Sequence, residues 1–152
     1  MKVAIGCDHG GFPLKATIIE AVRAAGHEPI DLGTDSTAPV DFPNFTKKVG
    51  GAIQRGEAER GILVCGSGVG ACIAANKMKG VWAAICHDTY SAAQGVWHDN
   101  MNVLCLGGRI IGVEVAKELV TAFVNARYLG NDADGQRFAR RVNKIKAMED
   151  EG

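Results

Sequence analysis

The residues best suited to chemistry lie in the stretch Gly61-Ile-Leu-Val-Cys65-Gly-Ser-Gly-Val-Gly70-Ala-Cys-Ile-Ala-Ala-Asn-Lys77. Ile62, Leu63 and Val64 form the short, uninterrupted β-favouring run expected of a strand buried on both faces of a parallel sheet, which puts Cys65 at the strand's carboxyl end. Gly66, Gly68 and Gly70, with Ser67 and Val69 between them, leave backbone amides uncovered just where a small-residue helix begins. Converging N–H groups at a helix start attract an anion, whether a phosphate or an oxyanion formed during reaction. A thiol in the same field has its pKa lowered and becomes a candidate base or nucleophile. Two blander readings fit the same residues. One is a structural turn with an inert, buried cysteine. The other is a loose dinucleotide fingerprint, Gly66-x-Gly68-x-x-Ala71 with Asp88 as the ribose-binding acid, although that fingerprint normally opens the first βα unit and two units precede it here.

Proton transfer by side chains alone is the chemistry these groups suit. Moving a proton between adjacent carbons of an open-chain sugar through an enediolate needs a base over the carbon and donors around the developing oxyanion. Cys65 and the Gly66–Gly70 amides offer both. Because sugars are mostly closed rings, an imidazole to assist ring opening would be useful, and His98 and His9 are candidates. A phosphate handle calls for planar guanidinium groups, for which Arg109, Arg137 and Arg141 are available. Each has a plainer alternative. A histidine near a helix end can simply cap it, Arg137 and Arg141 can share a solvated helical face as Arg140 and Lys144 do, and Asp8 can cap the first helix instead of binding sugar hydroxyls.

The elements that must position these groups follow from hydrophobic periodicity. Strands are expected at Lys2 to Cys7, Glu28 to Leu32, the central run ending in Cys65, Val81 to Cys86, and Val103 to Gly107. Helices are expected after each: one with Pro13 in its first turn and Leu14, Ile18, Val22 and Ala25 on one face, then Phe45 to Arg55, the glycine-loop helix, Thr89 to His98, and one from about Gly112 with Ala116, Leu119, Val120, Phe123 and Val124 buried. A final helix spans Arg137 to Met148, and Gly33 to Pro43 reads as a loop. The alternation defines a doubly wound, Rossmann-like α/β fold, a five-stranded parallel sheet with helices on both faces and one extra C-terminal helix. Right-handed crossovers place every βα loop on one edge of such a sheet. Asp8, His9, Cys65, Ser67, His87, Asp88 and Arg109 all fall just after strands and collect there.

Composition narrows the partners. At 152 residues and 47% hydrophobic content, residues 1–152 are expected to form a single domain. The 17 basic and 17 acidic residues cancel, so no global field recruits nucleic acid or an anionic membrane, and anion binding must be local. No apolar run reaches the roughly 20 residues of a membrane span, and a strand opens directly at Met1 with no signal peptide ahead of it, so a cytoplasmic protein is expected. The 5 cysteines, Cys7, Cys65, Cys72, Cys86 and Cys105, form no disulfide framework and no Cys-x-x-Cys pair, and no metal site is expected.

Taken together, these motifs resemble the ribose-5-phosphate isomerase type B family, which also contains the galactose-6-phosphate isomerase subunits. The resemblance runs from Gly6-Cys-Asp-His-Gly10 through Val40-Asp-Phe-Pro43, Cys65-Gly-Ser-Gly-Val-Gly70, Ala74-Ala-Asn-Lys77 and Asn102-Val-Leu-Cys-Leu-Gly-Gly-Arg109 to Arg137-Phe-Ala-Arg-Arg141-Val. It implies a cofactor-free aldose–ketose isomerase of phosphorylated sugars that works through a cis-enediolate, as a homodimer or homotetramer with active sites shared between subunits. By position, Cys65 matches the cysteine base, and Ser67 with Gly66, Gly68, Val69 and Gly70 matches the anion hole. His98 matches the ring-opening histidine, Asp8 an acid that contacts sugar hydroxyls, and His9, Arg109, Arg137 and Arg141 the phosphate grip. One branch of the family carries a glutamate base at the position of Ala71, and alanine there leaves Cys65 as the base the motif offers.

Three positions depart from the family pattern. Phe42 stands where tyrosine is usual, Asp99 replaces the asparagine beside the ring-opening histidine, and Phe138 replaces a histidine. All three are expected near the sugar or the phosphate, where a changed set of hydrogen-bonding groups alters discrimination between substrates. Ribose 5-phosphate and ribulose 5-phosphate are the default pair. The alternatives are a hexose 6-phosphate such as galactose or allose 6-phosphate, or a sugar-phosphate binding module without turnover.

Overall fold

The computed structural model describes residues 1–152. Strands β1 (Lys2–Cys7), β2 (Glu28–Asp31), β3 (Arg60–Cys65), β4 (Ala83–Ile85) and β5 (Val103–Gly107) form one sheet in the order β2-β1-β3-β5-β4. Every pairing is parallel. The helices are α1 (Phe12–Ala24), α2 (Phe42–Gln54), α3 (Val69–Ala75), α4 (Thr89–Asp99), α5 (Val113–Asn125) and α6 (Gln136–Glu151), with a 3₁₀ turn at Ala133–Gly135 before the last. The expected doubly wound sheet is therefore present. Strand order, which periodicity does not encode, puts β3 at the centre with β1 on one side and β5 on the other.

Alternating side chains feed two separate cores. Ile5, Ile62, Val64, Leu104 and Leu106 face α1, α4 and α5, where they meet Ile18, Val22, Val96, Leu119 and Phe123. Leu63, Cys65, Val103 and Cys105 face the other way, toward Val49, Ala52, Ala71 and Ala75 of α2 and α3. Arg60 ties the first core shut. Its guanidinium, its charge disfavoured by burial, donates to the carbonyls of Phe123 and Ala126, each at 2.6 Å, satisfying the unpaired end of α5.

Several boundaries differ from the sequence reading, each for a local reason. Helix α2 begins at Phe42, so Pro43 lies within its first turn, where the missing N–H costs nothing. The fourth strand is only Ala83–Ile85, against an expected Val81 to Cys86. At its start, the Asn102 side chain takes the Trp82 N–H at 2.8 Å, and the Asn76 amide pairs with both the N–H and the C=O of Ala83 at 2.9 Å. These side chains replace ladder bonds at the sheet edge. Helix α6 runs along that edge, with Glu149 accepting from Gly80 N–H at 2.8 Å and Lys79 paired with Asp150 at 2.7 Å. No helix is long and apolar enough to cross a membrane.

Candidate active site

Strand β1 leads to α1 on one face of the sheet and β3 to α3 on the other, so their carboxyl ends bound the crevice where ligands bind in open α/β sheets. Cys65 ends β3 and is buried. Its Sγ accepts the Gly68 N–H at 3.1 Å. Gly68 makes this possible with φ of +85°, a left-handed conformation that turns the chain sharply into α3 and that glycine adopts without strain. Ser67 Oγ accepts the Val69 N–H at 3.2 Å. The N–H groups of Ser67, Gly70 and Ala71 make no hydrogen bond within the chain and remain available to a bound group. The ring of Phe42 covers this corner, since a Cβ on Gly70 would fall 2.6 Å from the tip of the ring.

Asp8 and His9 line the β1 side. Asp8 is 7% exposed, and its Oδ1 accepts the N–H groups of Gly10 and Gly11 at 2.9 and 3.0 Å. The carboxylate thus organises the turn into α1, while Oδ2 takes no bond within the chain. Both expected roles for Asp8 are compatible with this division. His9 Nδ1 accepts the Val40 N–H at 3.1 Å, which leaves the ring proton on Nε2. Lys15 anchors the loop that carries Val40. Its buried ammonium meets Asp31 at 3.0 Å and Asp35 at 2.9 Å and donates to the Thr34 carbonyl. Burial opposes the Lys15 charge, but the bonds to Asp35 and Asp31 outweigh it and raise its pKa. Arg109, exposed after β5, brings its guanidinium beside Gly66. Asp8, His9, Gly66, Ser67, Gly68, Val69, Gly70, Cys65 and Arg109 are therefore gathered as the sequence reading expects.

A second cluster lies elsewhere in the chain. His98 is the tenth residue of α4, which starts at the carboxyl edge of the sheet and runs back along it, so about 14 Å of helix separates His98 from that edge. The His98 ring stacks on Phe138 with centroids 4.1 Å apart and planes 9° apart, and Gln94 donates to its Nδ1 at 2.9 Å. The Arg137 guanidinium sits over the same aromatic ring, 4.2 Å from its centroid. Asp99, Arg137 and Arg141 are exposed around this stack. Phe138 itself is only 5% exposed. Its surface is already spent on His98 and α4, so within the chain it packs as a core aromatic. Trp97 is half-buried against the α4–α5 core, edge-on to Tyr90 at 6.4 Å.

Asp88 does not serve as a ribose acid. Its Oδ1 accepts the Ser91 N–H at 2.6 Å, which caps α4 and holds the carboxyl below its usual pKa. The dinucleotide reading loses its acidic residue.

One reactive group escaped the sequence reading. Cys72, half-buried on α3, accepts from Asn76 Nδ2 at 3.6 Å and donates to the Ala83 carbonyl at 3.6 Å, and a hydrogen bond from the Cys105 thiol above all brings its pKa down to about 7. Burial pushes Cys7 and Cys86 up to about 11, and the hydrogen bond that the Cys105 thiol donates to Cys72, with its burial, holds Cys105 well above its ordinary value. Thiolate content sets alkylation rate, so labelling at Cys72 should rise through neutral pH and level off above it, while Cys7 and Cys86 stay unlabelled until the pH approaches 11. Iodoacetamide labelling followed by peptide mass spectrometry from pH 6 to 9 reads this directly, about the ordinary thiol value of roughly 8.5. Equal labelling of Cys72 and Cys86 at neutral pH would contradict it.

With this geometry in place, relatives give it a family. Residues 3–145 match the family model described as Ribose/Galactose Isomerase. The chain is 43% identical to ribose-5-phosphate isomerase B of Escherichia coli strain K12 over 148 residues, covering 97% of this chain and 96% of that protein. It is 40% identical to D-erythrulose-4-phosphate isomerase of Pectobacterium atrosepticum over 147 residues, 95% of this chain and 93% of that one. The solved type B ribose 5-phosphate isomerase of Trypanosoma brucei superimposes with a TM-score of 0.90 at 46% identity over 97% of each chain. The chain belongs to the ribose/galactose isomerase family.

Proposed function

We propose that this chain, as a single catalytic domain, is a cofactor-free aldose–ketose isomerase of phosphorylated sugars, with ribose 5-phosphate and ribulose 5-phosphate as its pair. The observation that carries the reading is a cysteine whose sulfur is held by the Gly68 amide of a glycine turn, beside further amides without partners. In the forward direction the Cys65 thiolate removes the proton from C2 of the open-chain aldose. Negative charge passes to O1, where the Ser67 and Gly70 amides and the Ser67 hydroxyl receive it. The same thiol then returns the proton to C1 while the C2 hydroxyl proton passes to O1, so that O1 ends as the C1 hydroxyl and the ketose carbonyl forms at C2. Asp8, through its free Oδ2, binds sugar hydroxyls. His9 and Arg109 grip the phosphate.

His98, Asp99, Arg137 and Arg141 have no route to this crevice within one chain, yet a closed-ring substrate needs the help of an imidazole. We therefore place them in the site of a partner subunit, in a homodimer or a dimer of such dimers whose sites are shared. The half-exposed apolar side chains beside the crevice support this arrangement: Val69 is 49% and Ile73 58% exposed on α3. The 5 unpaired thiols suit a reducing, cytoplasmic setting.

A second substrate has its own support. Phe42 sits against Gly70, and Phe138 fills the face of His98, so two positions that carry polar side chains in the family pattern are apolar here. One similar relative bears the name of a tetrose phosphate isomerase. A panel of tetrose, pentose and hexose phosphates, assayed in both directions, decides between them, with the highest kcat/KM expected on ribose 5-phosphate. Phe42→Tyr, Asp99→Asn and Phe138→His together should raise that value further, by restoring hydrogen bonds worth about tenfold. Highest kcat/KM on another sugar phosphate would reassign the substrate within the same chemistry. No turnover of any would leave a binding protein.

A further inference from the structure

His87 follows β4 and plays no part in the chemistry above. Its Nε2 accepts the Gly107 N–H at 3.0 Å, so Nε2 carries no proton and the neutral ring keeps its proton on Nδ1. Gly107 closes β5 and is the register partner of Cys65. The Gly108 N–H turns toward β3, where it reaches the Cys65 carbonyl at 2.7 Å, so that of Gly107 turns toward β4. There β4 has already ended at Ile85, and the imidazole supplies the acceptor that a longer strand would have provided.

That bond lies directly beneath the glycine turn. A Cβ on Gly68 would lie 3.1 Å from the Leu106 carbonyl carbon and 3.3 Å from the Gly107 nitrogen, so the peptide held by His87 is the floor on which Gly68 rests. A Cβ on Gly107 would fall 2.8 Å from the Ser67 carbonyl oxygen, so the next residue of the turn rests there too. Gly68 in turn supplies the N–H on Cys65 Sγ.

We propose that His87 is a positioning residue of the isomerase site: its unprotonated Nε2 fixes the Leu106–Gly107 peptide, and through it the Ser67–Gly68 turn and the Cys65 sulfur. A side chain that offers Gly107 no acceptor breaks the support. Asp88, the next residue, is turned to the Ser91 N–H instead.

The role in turnover rests on the isomerase reading, but the link to Cys65 can be measured without it. His87→Ala and His87→Gln are compared with the unaltered chain for iodoacetamide labelling at Cys65, resolved from Cys72 by fragment-ion mass spectrometry, and for kcat and KM on ribose 5-phosphate, all at neutral pH. His87→Ala leaves a buried N–H without an acceptor and loosens the donor on Cys65, so labelling and kcat should each fall about tenfold with KM within about twofold. A glutamine amide oxygen accepts the same N–H. His87→Gln should therefore restore both rates. Unaltered labelling in His87→Ala, or a glutamine variant that restores neither rate, overturns the proposal. If no sugar phosphate is turned over, the function fails while slower Cys65 labelling still supports His87. If turnover is normal and labelling indifferent, the inference alone fails. Should His87→Ala not fold, His87→Leu, which fills the same space and accepts no hydrogen bond, decides by the same two readouts.

Discussion

Replacement of Cys65 by alanine is expected to lower kcat on ribose 5-phosphate by about a thousandfold or more, with binding of the sugar phosphate changed by less than about threefold. The asymmetry follows from what Cys65 touches. Its sulfur accepts one amide and contributes little to holding a ground-state sugar, whereas the base and the oxyanion donors act as a unit when the proton moves, so losing the base forfeits nearly all of their joint effect. Ala71 offers no carboxylate to replace it, and Asp8, the acid on the β1 side of the crevice, already commits one oxygen to the turn into α1. Calorimetry with ribose 5-phosphate separates the two quantities. A Cys65→Ala variant with near-normal kcat would mean that another group takes the proton.

The second large effect is a recovery. Cys65→Ala and His98→Ala, each inactive by itself, should regain activity when their subunits are mixed under conditions of exchange. A shared site combines the β3 crevice of one chain with the α4–α6 cluster of another, so a mixed dimer holds one site with both lesions and one with neither. Up to about half the normal activity per mixed dimer follows by that counting. Within a single chain, His98 stands well back along α4 and stacks on Phe138, and nothing brings it to the mouth of the β3 loop. No recovery despite demonstrated subunit exchange would place all catalytic groups in one chain and would require α4 or α6 to move.

The contrast between the two clusters explains what was legible in the sequence. Ile62-Leu63-Val64-Cys65 followed by alternating glycines carries its structure locally, because β-favouring residues, positive φ and a small-residue helix each act over a few positions. The crevice residues that follow strands could be placed on one edge by handedness alone. Strand order could not, because it depends on which cores fill, and β5 enters between β3 and β4. Short β4 was missed for a related reason. Its apolar run extends from Val81 to Cys86, but the side chains of Asn76, 7 residues before Ala83, and of Asn102, 20 residues after Trp82, take over bonds at its start. The role of His87 depends on that early stop, so no local pattern could announce it. Likewise, the low pKa of Cys72 comes from Cys105 on another element, and the burial of Phe138 comes from His98. An aromatic beside arginines reads equally as an interface anchor or as packing.

Solvent exchange tests the central claim most directly. In deuterated water with ribose 5-phosphate, proton transfer through an enediolate on Cys65 should introduce deuterium at C1 of ribulose 5-phosphate and at C2 of recovered ribose 5-phosphate, as followed by proton NMR. Cys65→Ala should bind the sugar phosphate and introduce none above the uncatalysed background. Turnover without any exchange would point to direct hydride transfer between the carbons, and exchange undiminished in Cys65→Ala would remove the thiolate from the mechanism.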